Sequence, residues 1–259
     1  MPSPALEASI NCDCGESFGP WSIGDDEGLF PIVDIANLAC GFHGGDFDVM
    51  SKTVQLAKQH NVGIGAHPGL PDLQGFGRRA MHMPEESFFN MILYQVGALD
   101  AFLKLHGMRY NHLKPHGQAY IMSSKDLGLA RQSAKVAKLY NLPLLGLPGS
   151  KHQEAAEEVG VEFVPEWYAD LQYSNEGHLL PPLSAAKRTP ITGEQVYKRT
   201  RGMLETSSWL SADGSTTVSF PEGTRKVSIC VHGDFPGAVE VATAVKRAIA
   251  DVKSGVPAP

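Results

Sequence analysis

Short apolar runs recur along the chain, and most are followed by a segment whose apolar positions repeat at helical spacing. Ala8–Cys12 reads as a first strand, followed by a loop with Gly and Asp from Asp13 to about Gly28, and Val33–Cys40 as a second. From Asp46 to His60, apolar Val49, Met50, Val54, Leu56 and Ala57 mark a crossover helix that returns to a third strand at Val62. A long loop, Pro68–Met83, precedes Pro84-Glu85-Glu86, which suits a first helical turn; Phe88, Ile92, Val96, Leu99 and Leu103 then share one face. Tyr110–Lys114 is the fourth strand, Ser124–Tyr140 a helix with Leu129, Ala130, Ala134 and Ala137 inward, and Leu142–Leu147 the fifth strand. Pro148-Gly149-Ser150 caps a helix running to about Val159, and Glu162–Trp167 is the sixth strand. Ala169–Pro190, with its Pro, Asn and Gly, is irregular and long enough to serve as a lid. Thr192-Gly193-Glu194 starts a helix toward Trp209, Thr216–Phe220 is a short edge strand, Val227–His232 the seventh barrel-type strand and Phe235–Lys253 the last helix. Ser254–Pro259 reads as a loose tail. This alternation implies a parallel sheet, and 259 residues favour an α/β class chain closed into a seven-stranded (β/α) barrel, one domain over residues 1–259. An open doubly wound sheet is the alternative.

Composition narrows the partners more than the fold. With 42% hydrophobic and 19% charged residues the chain is ordinary for a globular protein. A net charge of −6 without a basic stripe argues against nucleic acid or an anionic membrane surface, leaving a small molecule or a protein as partner. The first residues carry neither a charged region nor an apolar core, and no run approaches the roughly 18 apolar residues of a membrane span, so a cytoplasmic setting is expected. Cys12 and Cys14 lie too close together to pair, and Cys40 and Cys230 sit inside apolar strands; reduced, buried thiols follow. No CxxC pair is present, which argues against a closed structural zinc site.

The chemistry gathers at strand ends. Four apolar runs stop at a histidine beside glycine or proline: Asn37 to Asp46, Val62 to Gly69, Tyr110 to Gly117 and Val227 to Asp234. In a parallel sheet the carboxyl ends of the strands face one site, so Asn11, Asp13, His43, Asp46, His67, Lys114, His116, Glu166, His232 and Asp234 are expected to converge there. Asp46 also stands where it can cap the helix that follows. Two chemistries fit. Asp with two or three His around an open position is a first shell for a water-activating divalent metal. Alternatively His and Asp act as general base and acid while Lys114, cationic in an open site, stabilises a developing anion. No HExxH or other local metal motif is present to decide. Pro115 holds Lys114 extended, so that its ammonium and the His116 imidazole reach one pocket. Arg78-Arg79 could grip a carboxylate or phosphate. Gly146 to Lys151 leads into a helix but lacks the Walker spacing, and reads as a plain strand-to-helix turn.

Taken in order, these motifs resemble the LamB/YcsF lactam-utilisation family, whose bacterial members are the A subunit of 5-oxoprolinase. Asn11-Cys12-Asp13-Cys14-Gly15-Glu16 is similar to that family's opening motif. Gly24-Asp25-Asp26, Asn37 to Asp46, Gly65-Ala66-His67-Pro68-Gly69, Pro71-Asp72-Leu73, Gly75 to Arg79, Lys114 to Gly117, Leu147 to Ser150 and Val231 to Asp234 match in sequence. Three departures stand out. Leu171 follows Glu166-Trp167-Tyr168-Ala169-Asp170 where the family has arginine, Gln118-Ala119-Tyr120-Ile121 replaces Ala-Leu-Tyr-Asn, and Phe47 replaces a proline. Leu171 removes a charge near the expected site, which bears on the substrate and not on the fold.

The resemblance implies a distorted seven-stranded (β/α) barrel akin to glycoside hydrolases and deacetylases. It also implies ATP-dependent opening of 5-oxo-L-proline to L-glutamate, with magnesium as counter-ion to ATP, in concert with B and C subunits. On this reading Asp13, His43, His67, Lys114 and His116 form the centre. Asn11, Glu16, Asp46, Arg78, Arg79, Glu166, Asp170, His232 and Asp234 bind substrate or support it, and self-association is compatible. The alternatives are a metal-dependent amide or N-acetyl-sugar deacetylase without ATP, its ion held by Asp13, His43, His67 and His116, and a non-catalytic binding subunit.

Overall fold

The strands and helices follow the predicted alternation closely. The structure, a computed structural model, describes residues 6–180 and 191–257. Its first half runs β1 (Glu7–Cys14), α1 (Asp26–Leu29), β2 (Ile35–Ala39), α2 (Phe47–His60), β3 (Gly63–His67), α3 (Glu85–Leu105), β4 (Tyr110–Leu113), α4 (Gly117–Ser123) and α5 (Leu127–Leu139). There follow β5 (Leu144–Gly146), α6 (Lys151–Val159), β6 (Phe163–Tyr168), β7 (Gln172–Tyr173), β8 (Leu179–Leu180), α7 (Gly193–Thr206), β9 (Ser208–Leu210), β10 (Thr217–Ser219), β11 (Lys226–Val231) and α8 (Ala238–Lys253).

Seven strands close into a barrel in the order β1-β11-β6-β5-β4-β3-β2, every neighbouring pair parallel, which excludes the open sheet. The closure is uneven. β1 and β11 pair from Glu7↔Lys226 to Cys12↔Val231, whereas β4 and β5 meet only at Leu113↔Leu144 and the β3–β4 register shifts between Ile64 and Ala66.

Side chains alternate along these strands because successive Cβ atoms point to opposite faces. Ile10, Cys12, Leu38, Ile64, Ala66, Leu113, Trp167, Ile229 and Val231 join the hydrophobic core that packs the helical coat onto the barrel. The alternate positions Asn11, Asp13, Asn37, His112, Lys114, Glu166 and Ser228 are buried and bond to one another across the interior. The barrel is therefore filled by a polar network and coated by an apolar one.

Several boundaries differ from expectation. The helix predicted over Ser124–Tyr140 is α5, which starts later, where Asp126 accepts from Leu129 N, and a further short helix, α4, precedes it over Gly117–Ser123. α7 stops at Thr206 because Ser207 turns left-handed, so Trp209 lies in β9 and the predicted edge strand is β10, paired with β9 outside the barrel. α8 begins after a Phe235-Pro236-Gly237 turn, at Ala238. Within the expected lid, β7 and β8 form a small antiparallel pair, and residues 181–190 lie outside the described part. α3 also corrects the membrane reading: at 21 residues and mean hydropathy 1.2 it is long and apolar enough to span. Here Phe88, Ile92, Val96, Leu99 and Leu103 bury one face against the core.

Between β1 and α1, Asp26 accepts from Gly15 N at 2.9 Å and so ties down the loop that carries Glu16. Burial pushes its carboxyl up to about 6 from an ordinary 3.8. The folded state thus binds a proton more tightly than the unfolded chain, and stability falls as pH rises from about 4 to about 6. Asp26→Asn, which keeps the acceptor, is expected to melt higher than the parent above pH 6, by roughly 1–3 kcal/mol, and to match it near pH 4. Thermal denaturation across that range checks it.

Candidate active site

Inside the barrel one ammonium organises the polar groups. Lys114 Nζ donates to Asn11 Oδ1 and Asp13 Oδ1, each at 3.2 Å, and to Cys230 Sγ at 3.1 Å, and lies 3.1 Å from Glu166 Oε1. Asn37 Nδ2 donates to the same Asn11 and Asp13 oxygens at 2.7 Å, and His112 Nε2 donates to Asn37 Oδ1 at 2.6 Å. Asn11 Nδ2 in turn donates to Glu166 Oε1 and to Ser228 Oγ. Lys114 is not in an open site as expected, being 2% exposed. Burial disfavours its charged form, yet Asp13, Cys230 and Glu166 outweigh that and hold its pKa above the ordinary lysine value. Asp13 answers in the opposite sense. Burial would raise it, but the Lys114 ammonium outweighs that and keeps it ionised, well below the usual carboxyl range. Burial pushes His112 down to about 3, so it is a neutral spacer.

Beside this network stands a second cluster. Glu16, His43, His67 and His116 are all buried, and one ligand-type atom from each lies within 4.8 Å of the others. The His43 and His116 rings stack, centroids 3.5 Å apart, and His67 stands edge-on to both. Glycines make the room. A Cβ on Gly69 would lie 2.3 Å from His43 Nδ1, and one on Gly77 2.7 Å from His43 Cβ and 2.8 Å from His116 Cδ2. Gly45, at φ +76°, lets its loop pass against Gly15 O. Gly69 and Gly77 thus keep the space that the His43 and His116 rings fill. Burial pushes His43 and His116 down, to the neutral form, and burial followed by the charges of Asp13 and Asp234 raises Glu16.

At the barrel mouth His232 Nδ1 donates to Asp170 Oδ1 at 2.9 Å, and Asp170 Oδ2 accepts from the His232 backbone N. Burial opposes the charge on His232, but Asp170 overcomes it and raises its pKa. Its Nε2 lies 3.9 Å from Asp13 Oδ2. Arg78 pairs with Asp234 at 3.0 Å across the mouth. Asp13, His67, Arg78, Lys114, His116 and His232 line a cavity of about 100 Å³ together with Gln118, Tyr120, Ile121, Tyr168, Leu171 and Leu179. It therefore sets Arg78, Lys114 and His232 in one cavity with apolar Ile121, Leu171 and Leu179.

Two expected site residues stay outside. Asp46 caps α2, accepting from Asp48 N and Val49 N, and also takes Gly19 N. Arg79 is mostly exposed and pairs with Asp72. Conversely Asn37, His112, Tyr120, Tyr168 and Cys230 belong to the site without having been singled out. His112 and Cys230 could have been found by stepping two residues back along a strand from Lys114 and His232. Gly146 to Ser150 is the plain turn expected: Ser150 Oγ caps α6 and Gly149 N donates to Gln153. All four cysteines are free and buried.

The chain is similar to known proteins over nearly its whole length. The profile of the LamB/YcsF family matches residues 8–257. A lactam utilization protein lamB from Emericella nidulans is 43% identical over 243 residues, 94% of each chain. The A subunit of a 5-oxoprolinase from Thermus thermophilus is 40% identical over 94% of this chain and 96% of its own. The crystal structure of a lactam utilization protein from Thermus thermophilus superposes with a TM-score of 0.85 at 38% identity, covering 96% of this chain and 98% of that one.

Because Asp170 is what raises His232, Asp170→Asn is expected to lower the His232 pKa and move its imidazole titration to lower pH. Proton–nitrogen NMR of the ring measures this directly, and an unmoved titration would contradict the assignment.

Proposed function

This chain belongs to the LamB/YcsF family, and on that footing we propose that it opens 5-oxo-L-proline to L-glutamate as the A subunit of a multi-subunit, ATP-dependent 5-oxoprolinase. The observation that carries the reading is the cavity, in which Asp13, Lys114, His232 and Arg78 meet a wall suited to the methylene face of a five-membered ring. The names of relatives supply the role in 5-oxoproline metabolism, and several of them designate one subunit of a larger enzyme, which implies partners. Four reduced thiols fit a cytoplasmic setting.

A lactam is a poor electrophile. Transfer of the γ-phosphoryl group of ATP to its oxygen releases ADP and makes the ring carbon attackable. Water then adds, the C–N bond breaks as the nitrogen gains a proton, and a second water releases phosphate from the acyl phosphate. In this scheme Asp13 Oδ2 takes the proton of the attacking water, since Oδ1 is already held by Asn37 and Lys114. Lys114 and His232 stabilise charge on the oxygen and its phosphoryl group, and His232 supplies the proton to nitrogen. Arg78 orients the substrate carboxylate. On this reading magnesium-bound ATP would be delivered at the cavity mouth with the B and C subunits. The departures Gln118, Ile121 and Leu171 all line the cavity, so any change of lactam would be read there.

Mixed with B and C subunits, the chain is expected to release glutamate and ADP together. Lys114→Ala should lower kcat on the order of 10²–10³-fold while the complex still assembles. ATP-coupled release unchanged by that substitution would refute the assignment and favour a binding subunit; release without ATP would favour the simple amide hydrolase.

A further inference from the structure

Among the described residues the barrel interior holds two clusters of ligand-type groups, and only one of them surrounds a cation. Asp13, Cys230 and His232 surround the Lys114 ammonium, which already satisfies the first two. Glu16, His43, His67 and His116 surround nothing of the kind among the described residues. Their hydrogen bonds show what is missing. His67 Nδ1 lies 2.8 Å from Lys114 O and His116 Nε2 2.8 Å from Phe76 O, and since a carbonyl oxygen only accepts, both nitrogens carry the ring proton. Unless a second proton is present, rings so held turn lone pairs, on His67 Nε2 and His116 Nδ1, toward each other at 2.9 Å. Fully buried Glu16 Oε1, His43 Nδ1 and His43 Nε2 have no hydrogen-bond partner at all. Buried polar atoms left unpaired cost roughly 1–3 kcal/mol each, so a group that engages them is called for.

We propose that Glu16, His43, His67 and His116 bind one divalent transition-metal ion, zinc being the best match to three imidazoles and a carboxylate. A proton shared by His67 and His116 would settle that one contact. It would still leave Glu16 Oε1 and both His43 nitrogens without a hydrogen bond, although Glu16 Oε1 lies 3.4 Å from His43 Nε2 and 3.6 Å from His116 Nδ1. An ion engages all four. The carbonyls behind His67 and His116 are the outer partners that fix a ligating ring and its tautomer. Two nitrogens about 2.0–2.1 Å from zinc stand roughly 3.3 Å apart in a tetrahedron, so the facing pair has to part by a few tenths of an ångström. Both rings also line the cavity, which gives the ion a way in. The site corrects the ligand set expected from sequence: Glu16 takes the carboxylate position, and Asp13 stays with Lys114.

The test uses the whole chain, stripped by dialysis against a chelator and titrated with Zn²⁺ and Co²⁺. One equivalent is expected, with a cobalt visible spectrum of low symmetry, a zinc edge spectrum showing about three imidazoles, and a melting temperature that rises with metal. Glu16→Gln should weaken binding at least tenfold, His43→Ala should abolish it, and His82→Ala, a surface histidine, should change nothing. If His43→Ala does not fold, Glu16→Gln decides. Absence of stoichiometric binding, or binding that Glu16→Gln leaves unchanged, would overturn the proposal. No step depends on lactam turnover, so the two readings fail separately.

Discussion

A single buried ammonium holds the barrel's interior together. Asp13 and Glu166 are carboxylates at 4% and 0% exposure, and burying such charges is costly unless they are paired, as both are with Lys114 within 3.2 Å. Removing one partner of such a pair typically costs about 3–5 kcal/mol, because the remaining charge is stranded. Asn11, Asn37 and His112 then read as the dipoles that complete the ammonium's surroundings. The same groups that fill the barrel also face the cavity, so here packing and chemistry share residues. That is unusual for a barrel whose interior is more often filled with branched aliphatic side chains.

The mouth is built by longer-range clamps. Arg199 donates to the carbonyls of Ala169 and Leu171 and lies over the Trp167 ring, which fixes the segment carrying Asp170. Asp170 fixes His232, and Arg78 with Asp234 spans from the loop after β3 to the loop after β11. Leu171 thus offers a backbone carbonyl to a guanidinium that comes from α7, while its side chain lines the cavity.

Much of this was legible in the chain. Period-two alternation and apolar runs ending at His-Gly place the strands, and parallel topology then brings Asp13, His67, Lys114, His116 and His232 to one end of the barrel. What could not be read was how those residues divide. Asp13 and Glu16 are three apart in sequence, yet one faces the ammonium and the other the histidines, a partition set by side-chain packing across strands. Asp46 and Arg79 sit inside site motifs but are spent on a helix cap and on Asp72. The short helix α4 and the left-handed turn at Ser207 were likewise hidden, the latter because the composition on either side stays compatible with helix.

The pairing of glycines with imidazole rings also limits how such a site can change over time. Gly69 and Gly77 occupy the space beside His43, and Gly65 leaves room for His112, whose Nε2 would lie 2.2 Å from a Cβ there. A mutational path that begins at a glycine meets a collision at its first step, whereas one that begins by shrinking the ring opens a void that the glycine can later fill. The order of substitutions is therefore constrained, and the histidine has to go first.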